Sequence, residues 1–306
     1  FLGQRLAKNL KEIYDVTITG RSNKQGFLAA KSTGVPCIPM DVTNIESVRD
    51  CFNEVRPDIV IHAAATKFVD LAERQPMECV DINILGSQNV ARVAVDQKIS
   101  AVLGISTDKA APPVHNIYGL SKSVMERLFC AMDAKSDTRF MCVRYGNVAW
   151  STGSVFPIWK KMLDDTGVLK STGPEMTRFF FTIDEAVQLV LNGLKNVDRF
   201  RGKILSRAMK SALVQDVLEV WTKEKGGSWE KIPGRPGDRP YECLIGEMEL
   251  DFTEMVEIDK IPHYVISFNK KVSNPIRKII SSENAERLTH AEISKILNYI
   301  PDEAGL

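Results

Sequence analysis

Residues 101–122 read AVLGISTDKAAPPVHNIYGLSK, and the order of residue types in them decides the fold. Ala101–Ser106 is a short apolar run with the continuity of a strand buried on both faces. It stops at Thr107-Asp108-Lys109. After a turn holding Pro112 and Pro113, a helical pattern begins over Leu120–Ala134, with Val124, Leu128 and Phe129 three or four apart. Strand, polar turn and helix make one unit of a parallel sheet with crossover helices, and such sheets place their ligands at the C-terminal ends of the strands. A Y-x-x-x-K pair alone is weak, but here Tyr118 and Lys122 follow a strand end. Four apart on one helical face, they predict an ammonium that lowers the phenol's pKa. The phenol is then a base able to take a hydroxyl proton as hydride leaves the same carbon.

Working outward, similar runs recur at Val16–Thr19, Val35–Met40, Asp58–Ala63 and Arg139–Tyr145, with helical stretches at Leu2–Lys11, Ile45–Val55 and Met77–Asp96. The pattern predicts an α/β fold built on a doubly wound parallel sheet. After Trp150 the texture changes to shorter elements with Pro157, Pro174, Pro233, Pro236 and Pro240, which predicts a second, smaller α/β domain for the substrate. The expected division is 1–148, with 178–206 returning to it, against 149–177 together with 207–306. Phe1-Leu2-Gly3 reads as the end of a glycine-rich turn entering a helix. One further strand, upstream of Phe1, is therefore expected at the centre of a sheet ordered 3-2-1-4-5-6.

Composition excludes other classes. With 44% hydrophobic and 26% charged residues the 306-residue chain is globular, and forty Lys plus Arg against thirty-nine Asp plus Glu give a net charge of +1. No global field draws it to nucleic acid or an anionic membrane. No apolar run reaches the ~18 residues of a bilayer span, and Gln4, Arg5 and Lys8 interrupt any apolar signal core, so a cytoplasmic protein is expected. Six scattered cysteines without C-x-x-C and four histidines without ligand spacing predict reduced thiols and no metal. His62 is read as a strand-end packing residue. Trp150, Trp159, Trp221 and Trp229 are read as core of the second domain.

Six stretches carry a resemblance: HAAATKFVDLAERQPMECVDINILGSQNV (62–90), STDKAAPPVHNIYGLSK (106–122), RYGNVAWSTGSVFP (144–157), MTRFFFT (176–182), GRPGDRPYE (234–242) and SSENAERLTHAEI (281–293). With them the chain resembles the extended short-chain dehydrogenase/reductases. It looks in particular like the soluble UDP-N-acetylglucosamine 4,6-dehydratases that invert C5 and serve bacterial surface-glycan synthesis. The Thr-Asp-Lys triplet is the specific part, since related 4-epimerases usually lack the Asp-Lys pair. The resemblance implies NADP, with NAD the less favoured cofactor, a nucleotide-sugar substrate and a homo-oligomer. Two alternatives stay open: a 4-epimerase acting on a UDP-N-acetylhexosamine, and a non-catalytic relative.

On this resemblance Tyr118 is the base for oxidation at C4, Thr107 orients the hydroxyl, Lys109 removes the C5 proton, and Asp108 donates to the leaving C6 hydroxyl. Lys109 then has to be partly deprotonated, which burial and the nearby Lys122 favour. Gly3 is expected to permit close helix–strand packing beside the cofactor. Arg21, with Ser22 and Lys24, stands where an acidic residue would bind a ribose hydroxyl and suits a 2′-phosphate, hence NADP. Asp41 and Val42 correspond to adenine contacts, and Ala63 and Ala64 to a small surface under the cofactor. For the sugar nucleotide, Arg178 and Arg235 are the expected diphosphate grips, Asn147 and Glu242 match phosphate- and ribose-contacting positions, and Lys67 faces the mouth of the site. Ten positions separate Asp108 from Tyr118, against nine in the enzymes it resembles, which leaves inversion or retention at C5 open, as UDP or GDP is also left open.

Overall fold

The computed structural model describes residues 1–234 and 238–304. In chain order the strands are β1 Ile18–Gly20, β2 Cys37–Pro39, β3 Ile59–His62, β4 Ala101–Ile105, β5 Arg139–Arg144, β6 Asn147–Val148, β7 Val168–Ser171, β8 Thr177–Phe181, β9 Lys203–Arg207, β10 Ser211–Leu213, β11 Ser228–Lys231, β12 Cys243–Ile245, β13 Thr253–Ile258, β14 Ile261–Ser267 and β15 Ile280–Ser281. The helices are α1 Leu2–Leu10, α2 Asn23–Thr33, α3 Ile45–Val55, α4 Val69–Arg74, α5 Pro76–Cys79, α6 Gly86–Asp96, α7 Ile117–Asp133, α8 Val155–Thr166, α9 Ile183–Lys195, α10 Val197–Phe200, α11 Val214–Lys225 and α12 His290–Asn298.

The main sheet runs β13-β14-β9-β5-β4-β3, with β3, β4, β5 and β9 parallel. Alternation sends Val102, Phe140 and Ile204 to one face, against Val48, Phe52, Val90, Met125 and Phe129. Leu103, Met141 and Leu205 go to the other, against Leu6, Leu10, Val187 and Val190. Every residue of β4 is buried, which is why it reads as an unbroken apolar run. The architecture is the doubly wound α/β fold. β1 and β2 pair in parallel only with each other, and none of the described residues forms the strand expected between β1 and β3.

Three segments depart from the sequence reading. Residues 253–267, expected in the second domain, instead extend the main sheet as an antiparallel hairpin on β9. Its tight turn, Asp259-Lys260, has both residues at positive φ (51° and 62°), without the Asn-Gly pair that usually marks such a turn. The expected helix Met77–Asp96 is interrupted by a π-helical turn at Val80–Leu85. Helix α2 carries no apolar stripe toward a core, since Phe27 is 70% exposed. Its ends define it: Ser22 accepts from Gln25 N, and Gly34 closes it in the left-handed conformation.

The smaller core gathers Trp150, Phe156, Trp159, Leu169, Phe180 and Trp221 under Ile293 and Leu297 of α12. Trp150 Nε1 donates to Ile296 O and Trp159 Nε1 to Lys170 O, so the buried indoles keep their hydrogen bonds. Among the described residues no helix is long and apolar enough to cross a membrane, and all six cysteines are unpaired.

Arg144, at the end of β5, is fully buried. Its Nε and Nη2 donate to Glu126 of α7 at 2.9 and 2.7 Å, and its Nη1 and Nη2 donate to Glu249 at 2.8 Å each. Nη1 also reaches Leu244 O at 3.0 Å. Replacing Arg144 by Met strands two carboxylates in the interior. We expect this to cost about 3–5 kcal/mol, read as a lower denaturant midpoint at unchanged slope. A loss below about 1 kcal/mol contradicts the arrangement.

Candidate active site

At the end of β4 the chain leaves the sheet through Thr107, which is extended and caps a single turn over Asp108–Ala110. Asp108 N donates to Tyr145 O, tying this turn to the strand beside it. The Asp108 side chain is completely buried. Its Oδ1 accepts from Thr107 Oγ1 at 3.0 Å and from Lys109 Nζ at 3.0 Å, while Oδ2 is buried without a hydrogen-bond partner. Lys109 Nζ also donates to Asn147 Oδ1 at 3.2 Å and lies 3.7 Å from Glu242 Oε1. Thus β4, β6 and the loop before β12 converge on one ammonium group.

Tyr118 and Lys122 lie on the first turns of α7, both buried. The helix starts where it does because Asn116 Oδ1 accepts from Gly119 N at 2.7 Å. Gly119 is required there, since a Cβ at this position would sit 2.2 Å from Lys109 O. Similarly, Gly246 lets the end of β12 pass the Pro112–Pro113 turn, where a Cβ would meet Pro112 O.

The electrostatics correct two expectations. Burial pushes the Tyr118 phenol up to about 12, and the groups that oppose this are Lys109 and the Thr107 hydroxyl, not Lys122. Lys122 Nζ instead points along the helix to Met125 Sδ at 3.1 Å. With no carboxylate hydrogen-bonded to it, burial pushes it down to about 8. For Lys109 the expectation was a partly neutral amine. Burial does act in that direction, but Asp108 and Glu242 outweigh it and hold the ammonium charged, well above the usual lysine range.

A polar network that sequence reasoning missed supports this region from below. Asn83, on the π turn, accepts from Thr66 N at 2.9 Å and donates to Thr66 O and Ser121 Oγ at 2.9 Å each. Ser121 Oγ donates to Tyr118 O at 2.7 Å. His62 Nε2 meets Ser87 Oγ at 3.0 Å, and Ser87 donates to Asn83 O. Burial lowers His62 to about 3, so it is a neutral connector, consistent with a packing residue. The signal for Asn83 in the sequence is a polar residue between Ile82 and Ile84.

The other expected residues are placed separately. Ala63 and Ala64 are exposed after β3 and leave small open floor there. Arg21 is exposed, 3.9 Å from Glu78 Oε1, and Lys24 is exposed, while the Ser22 hydroxyl is used in capping α2. Asp41 Oδ1 accepts from Thr43 N and Oγ1, and Val42 O accepts from Asn89 Nδ2. A Cβ at Gly3 would meet no atom of the described residues within 4 Å. Lys67 is exposed, 5.7 Å from the Phe68 ring centroid. Arg178 donates to Thr177 O at 2.8 Å and lies near enough to Lys109 to oppose its charge. Arg235 lies outside the described residues. Arg239, not anticipated, has its Nη1 3.8 Å from Glu242 Oε2, and the second arginine of the GRPGDR block is its signal in the sequence. A cavity of about 820 Å³ opens elsewhere, beside Arg207, Tyr264 and Tyr299, and none of the expected site residues lines it.

The chain matches the polysaccharide biosynthesis protein family over residues 8–264. A protein of Methanocaldococcus jannaschii, described as an uncharacterized membrane protein, is 36% identical over 282 residues, which cover 88% of this chain and 82% of that protein. A UDP-glucose 4-epimerase of Rickettsia bellii is 31% identical, covering 99% of this chain and 92% of its own. Among solved structures, Pen from Bacillus thuringiensis superposes with a TM-score of 0.86 at 27% identity, over 97% of this chain and 93% of that one.

The isolation of Lys122 gives a test with a defined sign. Its folded-state pKa of about 8 lies below the ordinary 10.5, so the folded protein resists its protonation, and that penalty is fully present below pH 8. It fades as pH rises toward 10.5. We therefore expect Lys122→Met to be more stable than the parent at pH 7, by about 3 kcal/mol, with the difference shrinking steadily between pH 8 and 10. Denaturant titrations at several pH values check this, and a difference that does not vary with pH contradicts it.

Proposed function

The chain belongs to the polysaccharide biosynthesis protein family of extended short-chain dehydrogenase/reductases, a nucleotide-sugar-modifying group, and we propose that it is a nucleotide-sugar 4,6-dehydratase. We assign it UDP-N-acetylglucosamine as substrate, NADP as cofactor and inversion at C5. The observation that carries this reading is the cluster of buried Asp108 and Glu242 with half-buried Lys109 and Asn147 beside Tyr118. Oxidation and reduction at C4 alone give such a cluster nothing to do, whereas eliminating water needs a second acid and a second base.

The fit for a dinucleotide rests on the small, exposed Ala63 and Ala64 at a strand end and on Lys122, a buried cation whose hydrogen-bond partner is a thioether. Bound NADP+ would accept the C4 hydride and return it to C6. Arg21 and Lys24 would hold its 2′-phosphate, Asp41 and Val42 its adenine end, and Tyr118 and Lys122 its reactive end.

In this mechanism Tyr118 takes the C4 hydroxyl proton while Thr107 orients the hydroxyl. The resulting ketone acidifies the C5 hydrogen; Lys109 passes its ammonium proton to Asp108 across their 3.0 Å contact and, now neutral, removes the C5 proton. Asp108 gives a proton to the C6 hydroxyl, the C6–O bond breaks, and water leaves. A proton delivered to C5 from the opposite face then sets the inverted configuration of the 4-keto-6-deoxy sugar. Arg178, Arg239 and the exposed Lys67 are cations we assign to the diphosphate at this mouth. The fully buried Asp108, with one oxygen unpartnered, suits a group that must present a proton away from solvent.

The second reading is 4-epimerisation, favoured by the Rickettsia bellii UDP-glucose 4-epimerase that aligns with nearly the whole chain. An NMR time course of UDP-N-acetylglucosamine with the purified protein separates the two. A 6-methyl doublet is expected, an equatorial H4 signal with an intact C6 would instead establish the epimerase, and unchanged substrate would count against both on this nucleotide sugar. For the cofactor, Arg21→Ala should weaken NADP about ten- to a hundred-fold, equivalent to about 1.5–3 kcal/mol, and leave NAD almost unchanged. Equal losses for both would show that Arg21 does not read the phosphate.

A further inference from the structure

Lys109 is held by more negative charge than one ion pair supplies. Asp108 approaches it from its own turn at 3.0 Å, and Glu242 from the loop before β12 at 3.7 Å. Neutral groups face it as well, Asn147 from β6 and Tyr118 from α7, and Arg178 of β8 opposes its charge. Glu242 is only 4% exposed. Its backbone is pinned from both sides, N donating to Ser282 Oγ at 3.0 Å and O accepting from Ser282 N at 2.8 Å. Ser282 Oγ in turn donates to Thr177 O, next to Arg178. The second carboxylate oxygen, Oε2, is buried without a hydrogen bond, with Arg239 Nη1 3.8 Å away.

This is an expensive place for a carboxylate. A buried anion with one oxygen unpaired contributes little to stability, because desolvation offsets the attraction it gains. Its geometry serves Lys109. We propose that Glu242 is a positioning residue for the elimination step: its carboxylate is the second anion that keeps the Lys109 ammonium charged and turned toward Asn147. It thereby sets how readily Lys109 yields its proton to Asp108 before taking the one at C5. The inference rests on the dehydratase reading for its purpose, and on the geometry alone for its charge assignment. Burial and Arg178 both favour the neutral amine, so with Glu242 gone only Asp108 is left to oppose them.

The test uses the full chain labelled with ¹³C at lysine Cε, with the Lys109 signal assigned through Lys109→Arg. In the parent the signal should stay in its ammonium position through pH 11. In Glu242→Gln it should titrate within that range, a fall of about 1–3 pH units, while Glu242→Asp, which keeps the charge, should behave as the parent. Glu242→Met serves as a second charge-free variant should the glutamine variant not fold. In deuterated water, C5 exchange on UDP-N-acetylglucosamine at pH 7 should be roughly tenfold or more faster in Glu242→Gln than in the parent. A Lys109 signal unchanged in both charge-free variants, or moved equally in Glu242→Asp, overturns the assignment. If the signal moves as expected but the parent shows no C5 exchange, the dehydratase reading falls and the charge assignment stands.

Discussion

The arrangement depends first on one buried guanidinium. Arg144 joins β5 to α7 through Glu126, and to β12 and the turn that follows it through Leu244 O and Glu249, and each of these three parts delivers part of the candidate site. β5 continues through Tyr145 to Asn147, α7 carries Tyr118 and Lys122, and the chain entering β12 carries Glu242. Three charges taken out of water yield little net stability, since the cost of desolvation is comparable to the attraction. What the planar fork contributes is register: two carboxylates that must each meet two N–H groups can sit in few positions. Glu249 is fixed further by accepting from Gly246 N at 3.1 Å, at the point where the chain squeezes past Pro112.

Within that frame the two lysines of the site are driven in opposite directions by the same low polarity. Lys122 has a thioether for company and is pushed toward neutrality, whereas Lys109 has two carboxylates and is kept charged. Residue type alone does not tell them apart. Neighbours do, and pairs of titratable groups separated in this way are how one site holds an acid and a base at the same pH.

The parts legible in the sequence were those whose signal is local. Strands β4 and β5 are buried on both faces and so read as apolar runs, α3 carries its stripe over the expected Ile45–Val55, and Tyr118 with Lys122 follow a strand end. Helix α2 escaped because its apolar residues face solvent and only its caps define it. The β13–β14 hairpin escaped because Asp259-Lys260 adopts a left-handed turn usually taken by Asn and Gly. The pairing of Lys109 with Glu242 joins residues far apart along the chain, and no periodicity encodes it. That missing contact is why the charge on Lys109 was expected to be weaker than it is.

The central claim is that the Lys109 cluster turns an oxidation at C4 into an elimination across C5 and C6. The fate of one hydrogen decides it. UDP-N-acetylglucosamine carrying deuterium at C4 should yield a product whose C6 methyl holds that deuterium, transferred within the same molecule. Deuterium found back at C4, on a sugar that keeps its C6 hydroxyl, would contradict the account.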